Sequence, residues 1–344
     1  MSTLNSLYQP LAAMSAKTTV SAGGLSSVEP VPMHIPDGFL STPVALLMWI
    51  VAIVGVAYAL WRVNRELDDR RVPLMGVMAA AIFAGQMLNF SVTGGTSGHL
   101  LGAALAAIVL GPWAAVLVMT CVVATQALLF QDGGLLALGA NIVNMALVGV
   151  AVGYAVYRTV RKLTGDQSWG LFVSGFVAGW LSIVIAALLC ALQLALSGTS
   201  PANIAVPAMG GIHMLIGVGE GLITAGALAF LYATRRDLLV ADKAQVVVSK
   251  GLWIGGLAIA ILLAILSPLA STHPDGLEWV AEQQGFIEAA REAPYQLIPD
   301  YVFPGISNEA VATIVAGILG TLIVFGVTYL VAAGRRRRES LQAR

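Results

Sequence analysis

The chain has 344 residues, 58% of them hydrophobic and only 10% charged, with a formal net charge of zero. Soluble domains carry about 25% charged residues, so this composition excludes an ordinary soluble enzyme, and the balanced charge offers no footprint for nucleic acid. An all-α, polytopic helical membrane protein is the class that remains.

Residues 1–32 lack the basic start and the apolar stretch of a secretory signal. They are expected to be a disordered lead, a removed segment or the product of an upstream start codon. Beyond them, a span needs about 20 apolar residues. The candidates are residues 42–63, 72–92, 99–110, 112–130, 134–157, 168–196, 203–232, 251–270 and 309–333. Counted this way, sixteen of the eighteen Lys and Arg residues fall on one side of the bilayer, and Lys17 and Arg291 on the other. Because cytoplasmic loops concentrate Lys and Arg, the expectation is nine segments, with the N-terminus outside and the C-terminus cytoplasmic. The third segment gives about 18 Å of rise and must be shielded by protein.

The two cysteines, Cys121 and Cys190, sit in separate apolar runs with no CxxC spacing and read as packing residues. Four histidines are present. His34 lies before the first span and His99 opens the third, so both belong to the outer face and a metal could bridge them. The chemistry sharpens if Met33 is the true first residue. Its α-amine, the His34 backbone nitrogen and the His34 imidazole would close two fused chelate rings, and His99 would supply a fourth nitrogen. Four coplanar nitrogens suit Ni(II) or Cu(II), and Co(II) less well. Any extension at Met33 turns the amine into an amide and weakens the site.

Three stretches, "MHIPDGFLS" (33–41), "AGQMLNFSVTGGTSGHLLGAALAAIVLGP" (84–112) and "HMLIGVGEGLIT" (213–224), resemble the CbiM/NikM family. Its members are substrate-binding membrane subunits of energy-coupling-factor transporters for cobalt and nickel. "HPDGLEWVAEQQGF" (273–286), between two helices, resembles the small companion subunit CbiN/NikN, here fused. The resemblance implies a metal-binding membrane domain over residues 33–235, a PDGLE-type domain over residues 251–338, and Met33, His34 and His99 as metal ligands. It also implies an N-terminal loop tucked into the bundle from outside. Gly94, Gly95 and Gly98 would permit the close turn this needs. Gln86 and Asn89 are expected either to hydrogen-bond the inserted loop or to act as helix-packing amides. "MHIPDGF" is closer to the nickel-type opening than to the cobalt-type one, so Ni2+ is favoured over Co2+ as the transported ion.

Other polar groups stay open between two readings. His213 and Glu220, two turns apart on one helix, are either a relay to a partner subunit or satisfied structural groups, and Asn141 and Asn144 share that ambiguity. Asp275, Glu278, Glu282, Glu288, Glu292 and Asp300 form either a cation-concentrating outer cap or a solvated surface. Arg335–Arg338 is a topology anchor or a docking contact. No GxxxxGK[ST] occurs, so the family resemblance implies separate ATPase subunits and a transmembrane coupling subunit as partners. Two rival readings stand beside this one. One is a rhomboid-like serine protease with Ser97 as nucleophile and His213 as base, and the other is a metal carrier that works without an ATPase.

Overall fold

A computed structural model describes residues 34–66, 71–165, 167–239 and 250–334. Met33, the 1–32 segment and the Arg335–Arg338 run lie outside the described residues. In chain order the helices are α1 (Thr42–Glu66), α2 (Val72–Gln86), α3 (Ala103–Leu110), α4 (Pro112–Phe130), α5 (Leu138–Thr164), α6 (Ser168–Leu196), α7 (Ala202–Thr234), α8 (Lys250–Leu269), α9 (Gly276–Gln284) and α10 (Glu309–Ala333). Among the described residues, seven are long and apolar enough to cross a membrane: α1, α4, α5, α6, α7, α8 and α10. This is a multi-pass membrane protein.

Two of the nine expected segments are short. Helix α2 has 15 residues and α3 only 8, which at 1.5 Å per residue is about 12 Å of rise for α3. The expected start of the third segment at His99 is corrected to Ala103, because residues 99–102 run as irregular backbone. Such backbone survives at membrane depth only where protein satisfies it. Here the Glu220 carboxylate of α7 accepts hydrogen bonds from Leu101 N at 2.6 Å and Gly102 N at 3.0 Å. Gly102 itself takes φ +77, and a Cβ there would press against Ile82. The shielding that the short third segment required is therefore present, and nearly every residue of α3 is buried.

Residue size sorts inward from outward faces. On α1 the buried residues are Ala45, Ala52, Ala59 and Val63, while Leu46, Leu47, Ile50, Ile53 and Val54 are exposed. Lipid is as apolar as leucine, so helices in a bilayer associate through close backbone approach at small residues rather than through burial of large ones. The C-terminal helix uses the same device: α10 meets α2 where Gly320 abuts Phe83 and where Gly76 abuts Phe325. The described residues accordingly form one compact unit.

Helix α5 begins at Leu138 rather than at residue 134, as expected above. The reason is tertiary: Asp37, about a hundred residues earlier, accepts hydrogen bonds from Leu135 N, Leu136 N and Ala137 N. A carboxylate from a distant loop thus caps the helix and holds residues 134–137 as a turn. Inside α5, residues Ile142–Val148 widen into a π-helical stretch, a deviation common at functional sites. A short antiparallel hairpin, β1 (Phe90–Val92) and β2 (Thr96–Gly98), joins α2 to the irregular stretch before α3.

Candidate metal centre

The segment that follows Met33 is buried in the bundle: His34, Ile35 and Phe39 are 4%, 3% and 1% exposed. Asn141 grips Ile35 from both sides of its peptide, accepting from Ile35 N at 3.1 Å and donating from Nδ2 to Ile35 O at 3.1 Å. Gly134 N also donates to Ile35 O. Further along, the Arg291 amide donates to Asp37 O at 2.7 Å, and the Phe39 ring packs edge-on against Phe286 at 5.1 Å. The 270–308 stretch therefore lies directly on the N-terminal loop.

His34 and His99 face each other, with ring centroids 5.6 Å apart and planes at 84°. His34 Nδ1 lies 3.3 Å from both the backbone oxygen and Oδ1 of Asp132. Two oxygen acceptors at that nitrogen make it the donor in this arrangement, and the ring's other nitrogen is Nε2. That atom is buried and has no hydrogen-bond partner among the described residues. His99 follows the same plan, with Nδ1 3.1 Å from Leu100 O. Gly98 sets its place, because a Cβ there would collide with Ile216 of α7.

Both imidazoles line a cavity of about 90 Å³ with Asn141, Asn144, Cys190 and His213. Metal-ligating histidines usually hand their second ring nitrogen to a carboxylate or carbonyl, which fixes tautomer and orientation, and Leu100 O stands at that place for His99 Nδ1. Among the described residues, no three His, Cys, Asp or Glu side chains converge closely enough to hold an ion by themselves. Two imidazoles thus need further donors, and the backbone immediately preceding Ile35 is what adjoins them in sequence.

The remaining expectations divide. Gln86 does not bond the N-terminal loop: its amide donates to Leu101 O at 3.0 Å and its oxygen accepts from Gln126 at 2.8 Å. Asn89 accepts from Ser271 N through its backbone oxygen, and its side-chain oxygen is buried without a partner. Gly94 and Gly95 take φ +98 and +80 at the hairpin tip with open space around them, so they serve the turn of the hairpin and not the inserted loop. Ser97 is no nucleophile, since its hydroxyl donates to His273 O at 2.8 Å and its amide to Pro274 O at 2.8 Å. Its role is to fasten the hairpin to the C-terminal stretch. Glu220 is a structural cap, as described above. His213 Nδ1 is held by Met209 O at 2.8 Å, and its free edge abuts Gly276. Asn144 pairs with Gln193 through two hydrogen bonds of 2.8 Å. Of the acidic residues, Asp275 is buried and forms a reciprocal capping box with Glu278 at the start of α9, which removes both from any surface cap. Glu282, Glu288, Glu292 and Asp300 remain exposed. Both cysteines are buried and free.

Sequence reasoning missed Asp132 and Tyr301 and left Asn141 undecided. An Asp in "QDGG" between two apolar helices was a visible signal, because an acid at that depth needs a reason. Nothing in the sequence marked Tyr301, whose hydroxyl donates to Asp132 Oδ2.

Comparison with known proteins bears on this arrangement. Residues 34–238 match the family described as the cobalt uptake substrate-specific transmembrane region, and residues 250–337 match the PDGLE domain. A putative fused nickel transport protein NikMN of Archaeoglobus fulgidus is 38% identical over 312 residues, covering 86% of this chain and 97% of that protein. The fused nickel transport protein NikMN of Rhodobacter capsulatus is 32% identical over 86% of this chain and 96% of its own length. The cobalt transport protein CbiM of Sorangium cellulosum is 37% identical over 62% of this chain and 97% of its own. Among solved structures, a transition metal transporter superposes with a TM-score of 0.54 at 33% identity, covering 62% of this chain and all of that one.

Proposed function

Because this chain belongs to the cobalt-uptake substrate-specific transmembrane family and carries a PDGLE domain in the same polypeptide, we propose that it captures a divalent transition-metal ion at its outer face for import. The observation that carries this reading is that the buried His34 and the half-buried His99 line one small cavity with ring centroids 5.6 Å apart. In a chain that begins at Met33, the α-amine, the His34 backbone nitrogen and His34 Nδ1 would close two fused chelate rings with His99 as the fourth donor, and metal binding would displace Asp132 from the His34 amide and Nδ1. That donor set favours Ni(II) over Co(II), and two relatives named as nickel transport proteins support the same preference.

The fold supports a division of labour. The hairpin and Asn141 place His99 and the N-terminal loop, and the 270–308 stretch covers that loop from above. We read the topology as nine segments, α2 and the half-length α3 included, with the loop outside and the C-terminus cytoplasmic. Import against a gradient would draw on separate ATPase subunits and a transmembrane coupling subunit of an energy-coupling-factor transporter. Their motion would release the ion inward.

The test is Ni(II) binding by His99→Ala in detergent. The variant is expected to lose tight binding while retaining its helical content and thermal transition. Retained affinity removes His99 from the ligand set and with it this reading of the site.

A further inference from the structure

A cavity of about 710 Å³ lies between α7 and α8, floored by α2 and the short α3. Each of the two helices leans on another neighbour: Gly221 of α7 abuts Phe176 of α6, and Gly256 of α8 abuts Val77 of α2. Ile223, Phe230 and Ile259 line the cavity and are 39%, 53% and 42% exposed, so it is a groove open at the side. It runs along α7 from Ile223 to Thr234 and along α8 from Gly251 to Leu263, about 16–18 Å at 1.5 Å per residue. The groove follows the seam between the region matching the cobalt-uptake family, which ends at residue 238, and the PDGLE domain, which begins at residue 250. One end is cationic. Arg235 lines it, Arg236 stacks on Tyr232, and the exposed Lys250 opens α8 beside Gly251. Asp237, which accepts from Arg235, is the one acid among the described residues of 234–252.

Length and charge decide what fills this groove. A partner's membrane helix needs about 20 apolar residues and about 30 Å. The groove offers little more than half of that, close to the depth of one leaflet, about 15 Å. Left empty, its walls would forfeit their dispersion contacts, and an apolar lining gives water almost nothing to bond. Basic residues between membrane helices attract anionic lipid headgroups. We propose that the groove holds an acyl chain of an anionic phospholipid, with the phosphate at Arg236 and Lys250 and the chain laid along Phe230, Gly255 and Ile259. The lipid joins α7 of the metal-capture region to α8 of the PDGLE region where side chains leave a gap. It involves no metal ligand, so it stands or falls apart from the capture reading above.

The experiment places the full-length chain in vesicles of mixed phosphatidylglycerol and phosphatidylcholine. A trace of one lipid or the other carries a photoreactive diazirine on its acyl chain, and peptide mass spectrometry maps the labelled residues. Phosphatidylglycerol is expected to label Ile223, Phe230 and Ile259 above the level at Leu46 and Ile50, which are exposed on α1, and above the level given by phosphatidylcholine. This comparison uses the unsubstituted chain and needs no variant to fold. Gly255→Leu fills the groove without a clash, because a Cβ at Gly255 meets open space, and should cut groove labelling about tenfold. Gly326→Leu is equally unobstructed on α10, outside the groove lining, and should change nothing. Arg236→Gln with Lys250→Gln should remove the preference for phosphatidylglycerol and leave the label on α1 as it was. Groove labelling no higher than that of α1, equal labelling by the two lipids, or labelling that Gly255→Leu leaves intact overturns the inference. A groove labelled in vesicles but not in native membranes is filled there by a protein segment, which overturns it as well.

Discussion

Asn141 holds the N-terminal loop by two hydrogen bonds, and its replacement by Ala measures how firmly that loop is docked. The two bonds are not equivalent. Ile35 O also receives Gly134 N at 3.0 Å, so losing the Asn141 amide there costs about 0.5–1.5 kcal/mol, the net worth of one hydrogen bond. Ile35 N has no second acceptor among the described residues, and Ile35 is 3% exposed. A buried amide left unpaired costs about 1–3 kcal/mol. Together the loop loses about 1.5–4.5 kcal/mol of docking free energy, or about ten- to a thousandfold in its docked population at 1.4 kcal/mol per decade. Ni(II) affinity falls by that factor where docking is marginal, and by less where docking has a surplus to lose. Isothermal titration reads the affinity, and hydrogen exchange over residues 34–40 reads the docking. The two should move together while the thermal transition of the bundle moves little, because the loop contains none of the long apolar helices. Unchanged exchange and affinity would refute the assignment of Asn141 as the clamp.

Two further outcomes follow from the geometry. Glu220→Ala leaves Leu101 N and Gly102 N unpaired deep in the bundle, costing about 1–3 kcal/mol for each amide. Its thermal transition should fall markedly, and that of Glu220→Gln, which keeps an acceptor oxygen, by less; equal losses in the two would refute the cap. A chain that begins at Met33 should bind Ni(II) tightly with a free α-amine and weakly once that amine is acetylated, measured by the same titration. Equal affinity would remove the amine from the ligand set.

Much of the protein was legible in its residues. Long apolar runs announced membrane helices because a helix must satisfy its own backbone in lipid, and the contiguous motifs around His34, His99 and "PDGLE" announced the family. The helix boundaries at residues 99 and 134 were not legible. Both were moved by carboxylates far away in the chain, Glu220 onto Leu101 and Gly102 and Asp37 onto the turn before Leu138. The partners of Gln86 and Asn89 were not legible either: the Gln86 amide serves Leu101, and Asn89 meets Ser271 through its backbone oxygen. An amide can bond any carbonyl within reach, and sequence spacing does not say which one arrives.

The candidate ligand histidines stood out because imidazole in an apolar chain is scarce and chemically distinct. What holds them in place was not, because its pieces are scattered: Asp132 and Asn141 stand 98 and 106 residues from the atoms they hold, and Tyr301 stands 169 from Asp132. Local composition determined the solvent in which this chain folds and the chemistry it carries. Only the packed bundle decided which side chains face His34, because a hydrogen bond depends on separation in space and not on separation along the chain.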